Sequence, residues 1–167
     1  MNFSKMEHFK DFSGQSRVWI YQSDKEFDSG QKKIFNELAA TFKANWESHG
    51  KAVKGSIELF YDRFIVLCID ERDELSCGRS VDASVRFMKE LEKELNVSLL
   101  NRMLVAYREG DNIVSCTINE FEKLLSEGKV NERTIVFNNM VHDLVEFNNN
   151  WELPVSESWH ARLMPSH

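Results

Sequence analysis

The chain lacks the glycine patterns that cradle phosphates. Its seven glycines stand at 14, 30, 50, 55, 78, 110 and 128 of 167 residues. A P-loop needs G-x-x-x-x-G-K-[ST], in which successive backbone N–H groups hold phosphate and the lysine reaches the outer oxygens. Only Gly50 and Gly128 precede a lysine, and neither has a glycine five residues before it or a Ser/Thr after the lysine. No G-x-G-x-x-G or G-x-S-x-G stretch exists either, which removes the usual dinucleotide fingerprint and the nucleophile elbow. Cysteine is scarce, at three, with no C-x-x-C and no even set for a disulfide framework. His, Cys and carboxylates show no zinc spacing, so no metal is expected. No basic run exceeds Lys32 and Lys33, and the balance is 27 acids against 21 bases, a net charge of −6. A nucleic-acid backbone repels such a chain, so nucleic acid is not an expected partner. No apolar stretch nears the roughly 20 residues that span a bilayer. The first residues, MNFSKMEHFKDFSGQ, lack the apolar centre of a signal peptide. A soluble, cytoplasmic protein with no membrane partner is the expectation.

What is present suits one domain with a sizeable core: 42% hydrophobic and 29% charged residues. Residues 1–16 read as a flexible polar lead-in, and 17–167 as a single α+β domain. RVWIYQ, at 17–22, is β-branched and aromatic, hence a strand. Asp28 with Gln31 forms a capping box that opens a helix to about Ser48, with Ile34, Phe35, Leu38, Phe42 and Trp46 on its apolar face and Gly50 as its stop. Strands at 55–61 and 64–70 meet at a tight turn over Tyr61, Asp62 and Arg63. The second is apolar on both faces and is expected at the sheet centre. Ser80 is placed to cap a helix to about Leu95. A strand at 102–108 turns at Gly110 and Asp111 into another at 113–116. Thr117 and Glu120 form a second capping box. A strand at 134–137, a helix at 141–147 and an irregular tail complete the reading. The order of the first six elements, β-α-β-β-α-β, matches a ferredoxin-like start, with a β-α-β-α extension. One mostly antiparallel sheet with its helices on one face is predicted.

The stretch FIVLCIDERDELSCGRS, at 64–80, carries two apparent ATPase fragments. An apolar run into Asp70 and Glu71 reads like a Mg²⁺-site strand, and Leu75 to Arg79 reads like an ABC signature. Their order is the reverse of that in ABC ATPases, and the P-loop is missing. The plainer reading is a central strand, a charged turn and a helix start. The loop 76–82 is still the most suggestive polar stretch. A helix N-terminus there points N–H groups outward and favours anions, and Arg79 adds charge. A small anionic ligand is therefore one expected partner, with Arg79 and Asp82 at its site. The same features also amount to ordinary capping by Ser80, with Asp82 in the first turn. As an enzyme, the site would use Ser80 or Cys77 as nucleophile and His49 as base. Trp46, Trp159 and His160 would wall the pocket. His49 equally suits a helix C-terminus, and a Trp159–His160 pair equally packs the tail onto the domain.

VWIYQS at 18–23, WESHG at 46–50, VDAS at 81–84 and SWH at 158–160 together resemble a small bacterial family of about this length. Its members often carry the automatic label "ABC transporter ATPase". The resemblance runs from about Arg17 to the end, and it implies that label and no other activity. The family pattern Ser-Gly-Cys-Ser-hydrophobic-Asp aligns with Gly78, Arg79, Ser80, Val81 and Asp82. Arg79 then stands where the family has cysteine, and Cys77 is displaced by two. The favoured expectation is a non-catalytic domain that binds a small ligand or a partner. A homodimer is the base-rate assembly, the cofactor is unknown, and an enzyme of unassigned reaction is the alternative.

Overall fold

The computed structural model describes residues 7–48, 51–70 and 78–166. Nine short strands and four α-helices alternate among these residues. The first sheet holds β1 (Arg17–Gln22), β4 (Gly55–Phe60) and β5 (Phe64–Ile69), in the antiparallel order β1-β5-β4. β5 lies between its two partners and is buried along its whole length, as an apolar run on both faces requires. The hairpin that joins β4 to β5 turns through Tyr61 and Asp62, both at φ of 54°. Between the strands, β2 (Glu47–Ser48) and β3 (Lys51–Ala52) make a separate small ribbon.

Two long helices cover one face of this sheet. α1 (Ser29–Asn45) opens with the Asp28–Gln31 capping box, and α2 (Gly78–Leu95) follows β5. Phe35 and Ala39 of α1 pack with Phe87, Met88 and Leu91 of α2 against Ile57, Ile65 and Leu67. Ile34, expected in this face, is 39% exposed. α1 ends at Asn45, and Trp46 turns back in an extended conformation. The helix is therefore three residues shorter than its apolar periodicity suggests, and Trp46 packs as the cap. Ser80 is the third residue of α2, inside its first turn, so it is not the N-cap. Gly50 lies outside the described residues.

The ferredoxin-like expectation fails at its fourth strand. The first three strands follow the split order, but β6 (Leu104–Glu109) does not join them. It heads a second antiparallel sheet, β7-β6-β8-β9, with β7 (Asn112–Thr117), β8 (Ile135–Phe137) and β9 (Glu152–Pro154). The two-residue turn at Gly110 and Asp111 pairs β6 with β7 locally, and Gly110 takes the φ of 62° that such a turn needs. The outer edge of β1 is meanwhile engaged by other chain: Val18 N–H donates to His142 C=O, and Leu144 N–H donates to Ser16 C=O. The tail, expected to be irregular, contains β9 and two 3-10 helices, Val155–Glu157 and Trp159–Leu163.

The second sheet backs onto the first. Ala106 and Phe137 meet Val18, Phe64 and Val66, together with Phe147 and Trp151 from the α4 (Leu144–Asn150) region. Its far face, with Val105, Tyr107 and Val136, is covered by Phe121 of α3 (Ile118–Ser126) and by Val155. The result is four layers in one compact α+β domain: helices, sheet, sheet, then helix and tail. Within the expected lead-in, Phe9 is buried in the layer between the sheets. No described helix is long and apolar enough to cross a membrane.

Gly55 sets a tight contact in the first layer. A Cβ there would fall 2.5 Å from the Trp46 ring. Gly55→Ala should therefore destabilise the protein by ~1–3 kcal/mol through overpacking. Gly30→Ala, in the first turn of α1 with only Asp28 Oδ1 at 3.4 Å, should be neutral or stabilising. Urea unfolding of both variants measures the contrast.

Candidate functional site

β1 is the strand around which the two sheets leave a space. Its side chains alternate: Trp19 and Tyr21 lean to the helix face, while Val18 and Ile20 lean to the second sheet. Its backbone alternates as well. Ser23 N–H donates to Arg63 C=O on the hairpin side, whereas Val18 N–H and Asp24 N–H donate outward, to His142 and Ser98. The outward groups of Ile20 and Gln22 fall between those two outer bonds. Because β6 has gone to the other sheet, no strand covers them. A cavity of about 310 Å³ lies here, reached by β1, residues 99–102, residues 139–142, Phe137 and Trp159. That volume is at the small end of ligand sites, roughly 300–1,000 Å³.

The walls are aromatic and cationic. The Arg17 guanidinium sits 4.5 Å from the centre of the Trp19 ring. Arg102 is exposed at the rim, close enough to Tyr21 to act on its phenol. Burial pushes the Tyr21 hydroxyl above its ordinary range, and a hydrogen bond with Ser84 and the Arg102 charge offset this in part. Among the described residues, no Asp or Glu lines the cavity. His142 borders it, its side chain 76% exposed, with its Nδ1 2.8 Å from Oε2 of Glu146, which lies outside the lining. His142 precedes α4, whose N-cap is Asp143, and does not belong to a helix as the sequence suggested.

The floor is a relay of amides. Gln22 Nε2 donates to Ser115 Oγ at 2.9 Å, and Gln22 Oε1 accepts from Asn139 Nδ2 at 2.9 Å. Asn139 Oδ1 in turn accepts from Trp151 Nε1 at 2.9 Å. A buried amide must be paired, and here the pairing fixes β1 to β7 and to the segment that follows β8. Sequence reasoning missed Gln22, Asn139, Arg17 and Arg102. The one signal was Gln22 itself, a polar residue in the same strand phase as apolar Val18 and Ile20.

The residues singled out from sequence scatter. Trp159 lines the cavity and stacks on His160 with ring centres 3.9 Å apart. His160 is fully buried. Its Nδ1 lies 2.6 Å from Ser158 Oγ, and its Nε2 has no partner among the described residues. Burial lowers its pKa to about 4, which keeps the ring neutral. Trp46 is 3% exposed in the helix-side core, against Phe42, and is not among the residues of the β1 cavity lining. Asp82 is exposed on α2, away from the cavity. Arg79 and Ser80 belong to the first turn of α2, but their side chains are outside the described ones. His49, Cys77 and most of loop 76–82 also lie outside the described residues. Among the described residues, no group of three His, Cys, Asp or Glu side chains could hold a metal ion. Cys68 and Cys116 are free thiols, pushed up by burial to about 12 and about 11.

No protein-family model, curated protein or solved structure matches this chain.

His160 makes stability depend on acid. An unfolded imidazole titrates near 6.5, whereas the buried one refuses its proton until about 4. Below pH ~6.5 the unfolded chain binds a proton that the native chain does not, so stability falls with pH by up to about 1.4 kcal/mol per unit, and this loss ends near pH 4. Thermal melts from pH 7 to 4.5 should show a falling Tm. His160→Asn, compared with its own value at pH 7, should fall less steeply.

Proposed function

We propose that this protein is a non-catalytic, cytoplasmic binding protein for a small anionic ligand with an apolar ring, held in the cavity along β1. One observation carries the reading. A chain of net charge −6 lines this cavity with Arg102 at the rim, with Arg17 over the Trp19 ring and, among the described residues, with no carboxylate. An exposed guanidinium at the rim of an aromatic cleft is a wall matched to negative charge. Trp19, Phe137 and Trp159 offer ring surface, and Asn101 and Asn139 offer polar edges.

The non-catalytic part rests on the chemistry of the nearest groups. Among the described residues, Ser158 and His160 are the nearest to a nucleophile and base, but both are buried, and burial lowers the imidazole pKa to about 4, which makes it a weak base. The two described thiols are held protonated, which makes them poor nucleophiles. Free buried thiols also suit a reducing compartment. ATP hydrolysis forms no part of this reading, since the glycine-lysine cradle is missing from the sequence.

Titration with an arylcarboxylate such as 3-phenylpropionate tests the proposal. Tryptophan fluorescence should change as Trp19 and Trp159 are covered, and the melting temperature should rise by mass action. Arg102→Glu should weaken binding about tenfold, or ~1.4 kcal/mol, with the fold intact by circular dichroism. ATP with Mg²⁺ should release no phosphate. Failure of every arylanion to change either signal would remove the cavity as the site.

A further inference from the structure

The cavity has a feature that charge and aromatic walls leave unused. Along the outer edge of β1, the main chain is bonded at Ser16 and Val18 by the residues 142–144, and at Asp24 by Ser98. Ser98 N–H also donates to Asp24 Oδ1 at 2.8 Å, which fixes this end further. Between these clamps Ile20 presents one N–H and one C=O on the same outward side. The two groups stand a peptide repeat apart, as on any antiparallel strand edge. They have no hydrogen-bond partner among the described residues, and Ile20 is only half-buried. Ile20 belongs to the cavity lining. The edge is thus closed to a long added strand and open only over Ile20 and Gln22, of which Ile20 is the half-buried one.

We propose that the ligand is an N-acylated aromatic α-amino acid, or the chain end of a peptide with that residue last, paired with Ile20 as a one-residue strand. The ligand's amide N–H donates to the Ile20 carbonyl. One carboxylate oxygen accepts from the Ile20 N–H, and the other faces the guanidinium side of the cavity. The aromatic side chain takes the Trp19–Trp159 walls. This identification rests on the cavity being the binding site and adds the backbone pairing to it. Strand addition of this kind draws affinity from main-chain bonds and selectivity from the pockets beside them. The volume of about 310 Å³ suits a ligand of that size.

Four probes separate the claims: N-acetyl-L-phenylalanine, its D-enantiomer, the analogue with an ester oxygen in place of the amide N–H, and 3-phenylpropionate. Each is titrated against the full chain by calorimetry, with the Ile20 amide followed by NMR. The L-amide should bind about fivefold or more tighter than the ester analogue and the phenylpropionate, as one added hydrogen bond gives. It should also bind tighter than its enantiomer, and the Ile20 amide signal should shift downfield and exchange more slowly. Equal affinity of amide and ester, or an unmoved Ile20 amide, overturns the strand pairing and leaves the cavity standing as an arylanion site. Binding by none of the four overturns both. A tripeptide ending in phenylalanine distinguishes the sources. Affinity equal to that of the N-acetyl compound assigns a polypeptide end, and weaker binding assigns the free acylated amino acid.

Discussion

Trp151 is the joint on which the two sheets depend. It is fully buried, and its ring meets Phe64, Phe137 and Phe147 at centroid distances of 5.0, 5.1 and 4.9 Å. Those three residues come from the first sheet, the second sheet and α4, so one side chain touches all the parts that must stay in register. Tyr61 stacks on its other side at 5.8 Å and donates to Glu152 Oε2 at 2.7 Å. Glu152 also takes Arg108 Nε at 2.7 Å, and that guanidinium lies over the Tyr61 ring. The β4–β5 hairpin is thereby tied to β6 and β9 by a ring contact and a charged bond together. Each aromatic pair adds only about 0.5–1.5 kcal/mol beyond its buried area, but here the pairs share one centre.

The same ring reaches the cavity. Its indole N–H fixes Asn139, which fixes Gln22, which reaches Ser115 on β7. The position of β1's outer edge therefore follows from the packing of a tryptophan near the C-terminus. A cleft between two sheets needs this kind of support, since its walls belong to chain segments far apart in sequence. The amides do what an apolar contact cannot: they set direction as well as distance, and they occupy both the oxygen and the nitrogen of the Gln22 side chain.

Much of the local structure was legible because it rests on short-range rules. FIVLCI reads as a strand covered on both faces and is one. The Asp28–Gln31 and Thr117–Glu120 boxes close in the structure, with donors and acceptors 2.8–3.1 Å apart. The turns at Tyr61 and Gly110 fall where expected. The second sheet was not legible. β6 is apolar on both faces, which suits a central position in either sheet, and its choice depends on β8 and β9, each three residues long. The cavity was less legible still. Its segments carry no motif, and Trp159 was noticed only as part of a Trp-His pair. The apparent ATPase stretch reads as a central strand running into a charged turn, and Asp70, next to the suggestive Glu71, has its side chain almost wholly buried and lies 3.4 Å from Lys54 Nζ at the end of that strand. There it anchors the lead-in by accepting from Ser13 N–H.

An open strand edge is a hazard for a protein, because it invites pairing with any extended chain. Surface edges are commonly blunted by lysine, proline or a bulge. β1 uses none of these inside its span. It is protected by position: clamped at Val18 and at Asp24, with its open middle recessed in a cleft too short for a foreign strand. That arrangement has a cost. Strand-edge groups left to water in a half-buried cleft are held less well than groups paired in a sheet, a deficit smaller than that of a fully buried unpaired group. The folded chain carries this deficit because β6 pairs better with β7 and β8 than with β1. A ligand that restores both bonds recovers it, so the edge that β6 vacated holds binding energy reserved for a partner small enough to fit between the clamps.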